Sequence, residues 1–133
     1  MSEENVEIVR AAFDAVNRRD LDAFLPLVHP EGEFIPRLLG VEGGGTYRGH
    51  DGVREWWQSI FSAFPDFNAT VLEIRVVADA TISNVCYKGR GGESGVPFED
   101  TIWQVARWRD GKAIWVKSFR DRAEALEAAG LSE

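Results

Sequence analysis

Two histidines, one cysteine, one glycine-rich run and a few well-placed carboxylates are the groups in this chain whose types could do chemistry. His29 and His50 lie 21 positions apart with no thiol clustered near either. Zinc sites draw three or more ligands from closer spacing, so no metal centre is expected. His29 precedes Pro30 and reads as a residue ending a helix, and His50 as a neighbour of a helix start. Cys86, between Val85 and Tyr87, reads as a buried small hydrophobe rather than a nucleophile. Gly43-Gly44-Gly45-Thr46 lacks the Gly-Lys-Ser/Thr that completes a phosphate cradle. The helix after it opens with Asp51 and Glu55, which repel phosphate. That run is expected to be a flexible loop over a pocket. No Gly-x-Ser-x-Gly elbow is present, and Ser94 falls in a hairpin loop. Asp121 is best explained as a helix cap. Glu33, at the entry to a strand, is left as the weak candidate for a general base. No cofactor is implied.

The elements that must position these groups follow from periodicity. Val6, Val9, Phe13 and Val16 line one face of a first helix closed by Arg18-Arg19. Asp20 caps a second helix running through Leu21, Phe24, Leu25 and Val28, and a strand follows over 33–37. Val53, Trp56, Trp57, Ile60, Phe61 and Phe64 form the clearest amphipathic stripe, on a third helix that starts near His50-Asp51. The period then changes to two. Leu72, Ile74 and Val76 alternate with Glu73 and Arg75, and further strands are expected over 82–89, 96–109 and 112–120. Asp110-Gly111 is a strong hairpin signal between the last two. Asp121 caps a terminal helix over 123–129, with Gly130 after it. Helices first and an antiparallel meander later is the α+β pattern, in one domain over 1–133.

Composition narrows the partners. The 133 residues carry a net charge of −7, with 44% hydrophobic and 28% charged residues. That field repels nucleic acid and anionic membranes. The acidic start Met1-Ser2-Glu3-Glu4, no apolar span and a single cysteine fit the cytoplasm.

Local strings then add a family. Asn17-Arg18-Arg19-Asp20-Leu21-Asp22, His29-Pro30, Tyr47 through Val53, Trp108-Arg109-Asp110-Gly111-Lys112 and Arg122 through Leu131 resemble the SnoaL-like, polyketide cyclase-like branch of the nuclear transport factor 2-like superfamily. The resemblance implies a cystatin-like, cone-shaped α+β barrel, with helices on a curved, mainly antiparallel sheet enclosing a pocket. It also implies where catalytic residues should be sought. The Asp-Arg-Asp set of the fold's epoxide hydrolases falls on Asn84, Cys86 and Ser118. For ketosteroid isomerases, the tyrosine aligns near Ala12 and the base near Pro36, with Glu33 available if the alignment shifts. The acid of the polyketide cyclases falls at Ser118, with Asp121 beyond it. None of these sets is matched.

If Asp110-Gly111 forms a two-residue turn in a regular hairpin, Trp103 lies opposite Ser118, Val105 opposite Val116 and Arg107 opposite Ile114. The expected ligand pocket is then Phe13, Tyr47, Trp57, Phe61, Trp103, Arg107 and Ser118. Arg107 either orients a carbonyl or carboxylate there or sits in water at the rim. The opposite face would carry Trp108, Trp115 and Phe119, moderated by Gln104 and Lys117, and is the expected homodimer surface. Two functions follow: binding of a small, largely apolar, cyclic or polyketide- or steroid-like molecule, or an isomerase, cyclase or hydratase working on such a molecule by acid–base catalysis. A homodimer with a vestigial pocket is a third.

Overall fold

The computed structural model describes residues 2–38, 41–42, 45–90 and 95–130. Helix α1 (Ser2–Arg18) comes first, with Val9, Phe13 and Val16 buried. It stops at Arg19, whose φ of 58° ends the helical path. Asn17 then ties the helix end to the sheet edge: its amide donates to the Ala69 carbonyl at 2.8 Å and accepts from the Ala69 N–H at 2.8 Å.

Asp20 caps α2 (Leu21–Phe24) through the Ala23 N–H, but this helix is a single turn. The expected helix through Val28 is cut short because Pro26 turns Leu25–Leu27 into a 3-10 segment. Strand β1 (Val28–Ile35) therefore starts five residues earlier than expected and contains His29-Pro30. Short strands β2 (Arg37–Leu38), β3 (Val41–Glu42) and β4 (Tyr47–Arg48) lead into α3 (Gly49–Ala63). The meander follows as β5 (Asn68–Val77), β6 (Ala80–Arg90), β7 (Pro97–Arg109) and β8 (Lys112–Phe119), and α4 (Arg122–Ala128) closes it. Gly43, Gly44 and Ser94, to which the loop expectations above refer, lie outside the described residues.

Six strands form one curved, open sheet in the order β4-β1-β8-β7-β6-β5. All neighbours are antiparallel except β1 and β8, which run parallel. One face buries Val9, Phe13, Val16, Trp57 and Ile60 against Phe67, Ala69, Val85, Tyr87 and Ile102. The other face packs Ile82 and Val105 on Ala125 of α4 and on Ala129 just after it. The sheet is thus covered by α1 and α3 on its inner side and by α4 on its outer side.

The last hairpin departs from the regular register. Asp110 and Gly111 have φ of 55° and 73°, the two-residue turn that follows the strand twist. Next to the turn, Arg109 pairs with Lys112 and Trp108 with Ala113, as a regular hairpin requires. A bulge at Ile114 then inserts one residue, so Arg107 pairs with Trp115, Val105 with Lys117 and Trp103 with Phe119. The pairings expected for Trp103, Val105 and Arg107 are each corrected by one. A slip of one residue moves a strand's side chains to the other face. Val116 and Ser118 keep the inner side, but on β7 it is Ile102, Gln104, Ala106 and Trp108 that join them.

Candidate functional site

Beneath α1 and α3, the inner face leaves a partly enclosed cavity of about 90 Å³. Val9, Ala12 and Phe13 border it from α1, Val53 and Trp56 from α3, and Phe24 and Leu27 from the segment between α1 and β1. Its floor is Phe34, Tyr47, Tyr87, Gln104, Ala106, Trp108 and Val116. The elements explain these positions. Phe34 pairs across the sheet with Tyr47 on one side and Val116 on the other, so all three point the same way. Gly52 lets α3 approach that floor, because a Cβ there would come 2.8 Å from the Tyr47 carbonyl carbon.

A chain of rings supports the cavity wall. Phe34 meets Trp56 edge-on at 5.0 Å, Trp57 meets Phe24 and Phe61 at 5.2 Å each, and Phe61 meets Phe67 at 5.9 Å. Phe67 in turn meets Tyr87 at 5.0 Å. Such contacts fix the ring orientations along the inner wall.

The expected pocket residues separate into three groups. Phe13 and Tyr47 border the cavity, as does Glu33. Trp57 and Phe61 lie behind the wall in the ring chain and hold Trp56 and Phe67 in place. Trp103 and Arg107 are on the outer face because of the bulge, and Ser118 is buried on the inner side without bordering the cavity. Arg107 has a structural task there. Its guanidinium donates to the Ala128 carbonyl at the end of α4, lies 3.7 Å from Asp79 and stacks 5.8 Å from the Trp115 ring. A cation at a helix C-terminus also suits the helix dipole.

Trp108, expected on the outer face, instead borders the cavity and donates its indole N–H to Thr81 Oγ1 at 3.2 Å. Tyr87 and Gln104 were not anticipated as cavity residues either. Their signal lies in the alternation of β6 and β7 once the inner face of each strand is known.

The chemistry on offer is sparse. The Glu33 carboxylate is paired with Arg48, its cross-strand neighbour. His50 Nε2 is 2.8 Å from the Val28 carbonyl of β1, and His29 Nδ1 accepts the Glu31 N–H at 3.0 Å, so both histidines are tied to backbone. Asp121 caps α4 by accepting the Ala123 N–H at 2.9 Å. Cys86 is buried. Burial pushes the Tyr87 phenol well above its ordinary value, the Asp100 charge adds to this, and the nearby Gln104 side chain opposes it. No group of three His, Cys, Asp or Glu capable of holding a metal occurs among the described residues. No helix among them is long and apolar enough to cross a membrane.

A family model described as the SnoaL-like domain matches residues 9–116. The chain belongs to the SnoaL-like domain family. A comparison with curated proteins returned no match. Among solved structures, the chain is similar to TerC, co-crystallised with polyporic acid, at 23% identity and a TM-score of 0.76, covering 93% of this chain and 98% of that one. An NTF2-like protein of unknown function from Burkholderia pseudomallei K96243 matches at 22% identity and a TM-score of 0.77, over 96% and 98% of the two chains. A protein with a ketosteroid isomerase-like fold from Catenulispora acidiphila DSM 44928, in complex with trimethylamine, matches at 18% identity and a TM-score of 0.75, over 95% and 94%. These likenesses extend the fold over nearly the whole SnoaL-like chain.

Proposed function

We propose that this SnoaL-like protein binds a small, largely apolar, cyclic molecule in the inner cavity, as one domain acting in the cytoplasm. The observation that carries the reading is the lining: aliphatic and aromatic side chains from α1, α3 and the sheet, interrupted by few polar atoms. Such surface left inside a domain gains by exchanging water for an apolar guest. Relatives of the same fold crystallised with polyporic acid and with trimethylamine support a small-molecule role. Size sets a limit. A dry cavity of roughly 150 Å³ accepts benzene, whereas this one measures about 90 Å³. A polyketide- or steroid-sized ligand would place one ring inside and extend through the open side.

Binding is favoured over isomerase, cyclase or hydratase chemistry because Glu33, although its residue borders the cavity, turns its carboxylate to the opposite face of β1, where Arg48 engages it. Native mass spectrometry of protein purified gently from its source tests the reading. A co-purifying apolar molecule that is recovered unchanged is the expected result. Recovery of a converted product would move the assignment to the enzyme reading, and protein that stays empty when mixed with small apolar rings would contradict both.

Homodimerisation through the outer sheet face is also proposed, with one revision. Trp108 is replaced there by Trp103, beside Trp115 and Phe119, and these rings stay half-buried around α4, which packs on the same face. Arg122, Arg107 and Lys117 lie 5.6, 5.8 and 5.2 Å from these three rings respectively, so the face joins aromatic area to positive charge. Light scattering at high micromolar concentration should give twice the 14.9 kDa chain mass, and a monomer would exclude the dimer.

A further inference from the structure

We infer that Gln104 is the specificity-determining residue of the cavity, holding the carbonyl or hydroxyl oxygen of an otherwise apolar ligand. The inference rests on the cavity-binding reading above. Gln104 lies in the middle of β7 on the inner face and borders the cavity. Its cross-strand neighbours are Ser83 on β6 and Ser118 on β8, both buried, at 2% and 7% exposure. A polar row thus crosses three adjacent strands beneath a cavity that is apolar elsewhere. A buried polar row is costly unless its members are hydrogen-bonded, so its presence under the cavity calls for a reason.

The other polar side chains at the cavity have less to offer. The Glu33 carboxylate leaves the opposite face of β1 and pairs with Arg48, and the Trp108 indole N–H is given to Thr81. Tyr47 is at the far end of the floor, on the short edge strand β4 against Phe34. Gln104 is different because a primary amide has two N–H donors and an oxygen with two lone pairs. Tyr87 also borders the cavity from β6, so the amide lies beside a second polar ring there. An amide N–H can meet a ligand carbonyl and Oε1 a ligand hydroxyl. Gln104 makes the contact.

Two probes of one shape separate this inference from the cavity reading: cyclopentanone, and methylenecyclopentane, in which a CH2 group replaces the oxygen. Their affinities are measured by ligand-observed NMR on the wild type, on Gln104→Leu and on Lys88→Ala, an exposed control on β6. Gln104→Leu should weaken the ketone relative to the alkene by about fivefold, the equivalent of one ordinary hydrogen bond. Lys88→Ala should leave the ratio as it is. Gln104→Met, which keeps the side-chain length, gives the same reading if the leucine variant fails to fold. An unchanged ratio in the Gln104 variant, with both probes still binding, overturns the role of Gln104 and leaves the cavity reading standing. Failure of both probes to bind the wild type overturns the two together.

Discussion

Trp108→Phe tests the inverted face of β7, because the side chain has opposite surroundings in the two hairpin registers. On the outer face of a regular hairpin, replacing an indole by a phenyl ring would cost little. In the structure the indole N–H is hydrogen-bonded to Thr81, whose exposure is 1%. Removing the donor takes a partner from a buried hydroxyl, at about 1–3 kcal/mol, and the lost ring atoms add about 1 kcal/mol of apolar burial. For 133 residues, an unfolding entropy of about 2.1 cal/mol/K per residue gives about 0.28 kcal/mol/K in all. The loss of about 2–4 kcal/mol then lowers Tm by about 7–14 °C in a circular dichroism melt. Thr81→Val removes the same bond from the other side. In the double variant the two losses should fall short of additivity by about 1 kcal/mol, since the bond is lost only once. A drop below about 2 °C for Trp108→Phe, or strict additivity with Thr81→Val, would refute the assignment of Trp108 to the inner face.

Gly52→Ala should destabilise the protein by about 1–3 kcal/mol in urea titration, because the added Cβ would meet the Tyr47 backbone at 2.8 and 3.2 Å. Asp121→Ala should cost about 1 kcal/mol by the same assay, from loss of the cap on the Ala123 N–H. Tyr87 predicts a pH dependence: its phenol is held above its ordinary value in the folded protein, so above about pH 10 the unfolded chain loses that proton while the folded one keeps it. Stability associated with Tyr87 is therefore complete below pH 10 and falls as the pH rises beyond it. Urea midpoints between pH 8 and 11 should fall more steeply for the wild type than for Tyr87→Phe, and parallel curves would contradict the burial of the phenol.

Much of this architecture is legible in the sequence because local chemistry and tertiary demand agree there. The stripe Val53, Trp56, Trp57, Ile60 is what α3 needs to cover the sheet, and Asp110-Gly111 supplies the two positive φ values of its turn. Other features depend on interactions at a distance. Val28 enters β1 because β8 offers it a parallel partner at Ala113, a pairing that no local signal announces. The Ile114 bulge has one trace in the sequence, the unbroken apolar run Ala113-Ile114-Trp115-Val116, where simple alternation fails. Reading that run as regular exchanges the faces of β7. The exchange directs attention to Trp103 and Arg107, which pack with α4, and away from Gln104 and Trp108, which meet the cavity. Of the residues expected at the pocket, Phe13 and Tyr47 border the cavity, Trp57 and Phe61 of α3 stand behind its wall, Trp103 and Arg107 of β7 lie on the outer face, and Ser118 of β8 is buried on the inner side.

Ala106→Leu offers the most direct test of the claim that the inner cavity is a binding site. The Ala106 methyl borders the cavity and is 6% exposed, so a longer side chain can grow into the open space of about 90 Å³. Binding of cyclopentanone is measured on wild type and variant together with Tm. The account predicts saturable binding to the wild type, loss of that binding in Ala106→Leu, and a Tm held or raised as the cavity fills. Equal binding by both proteins, with Tm preserved, would place the ligand elsewhere and contradict the account.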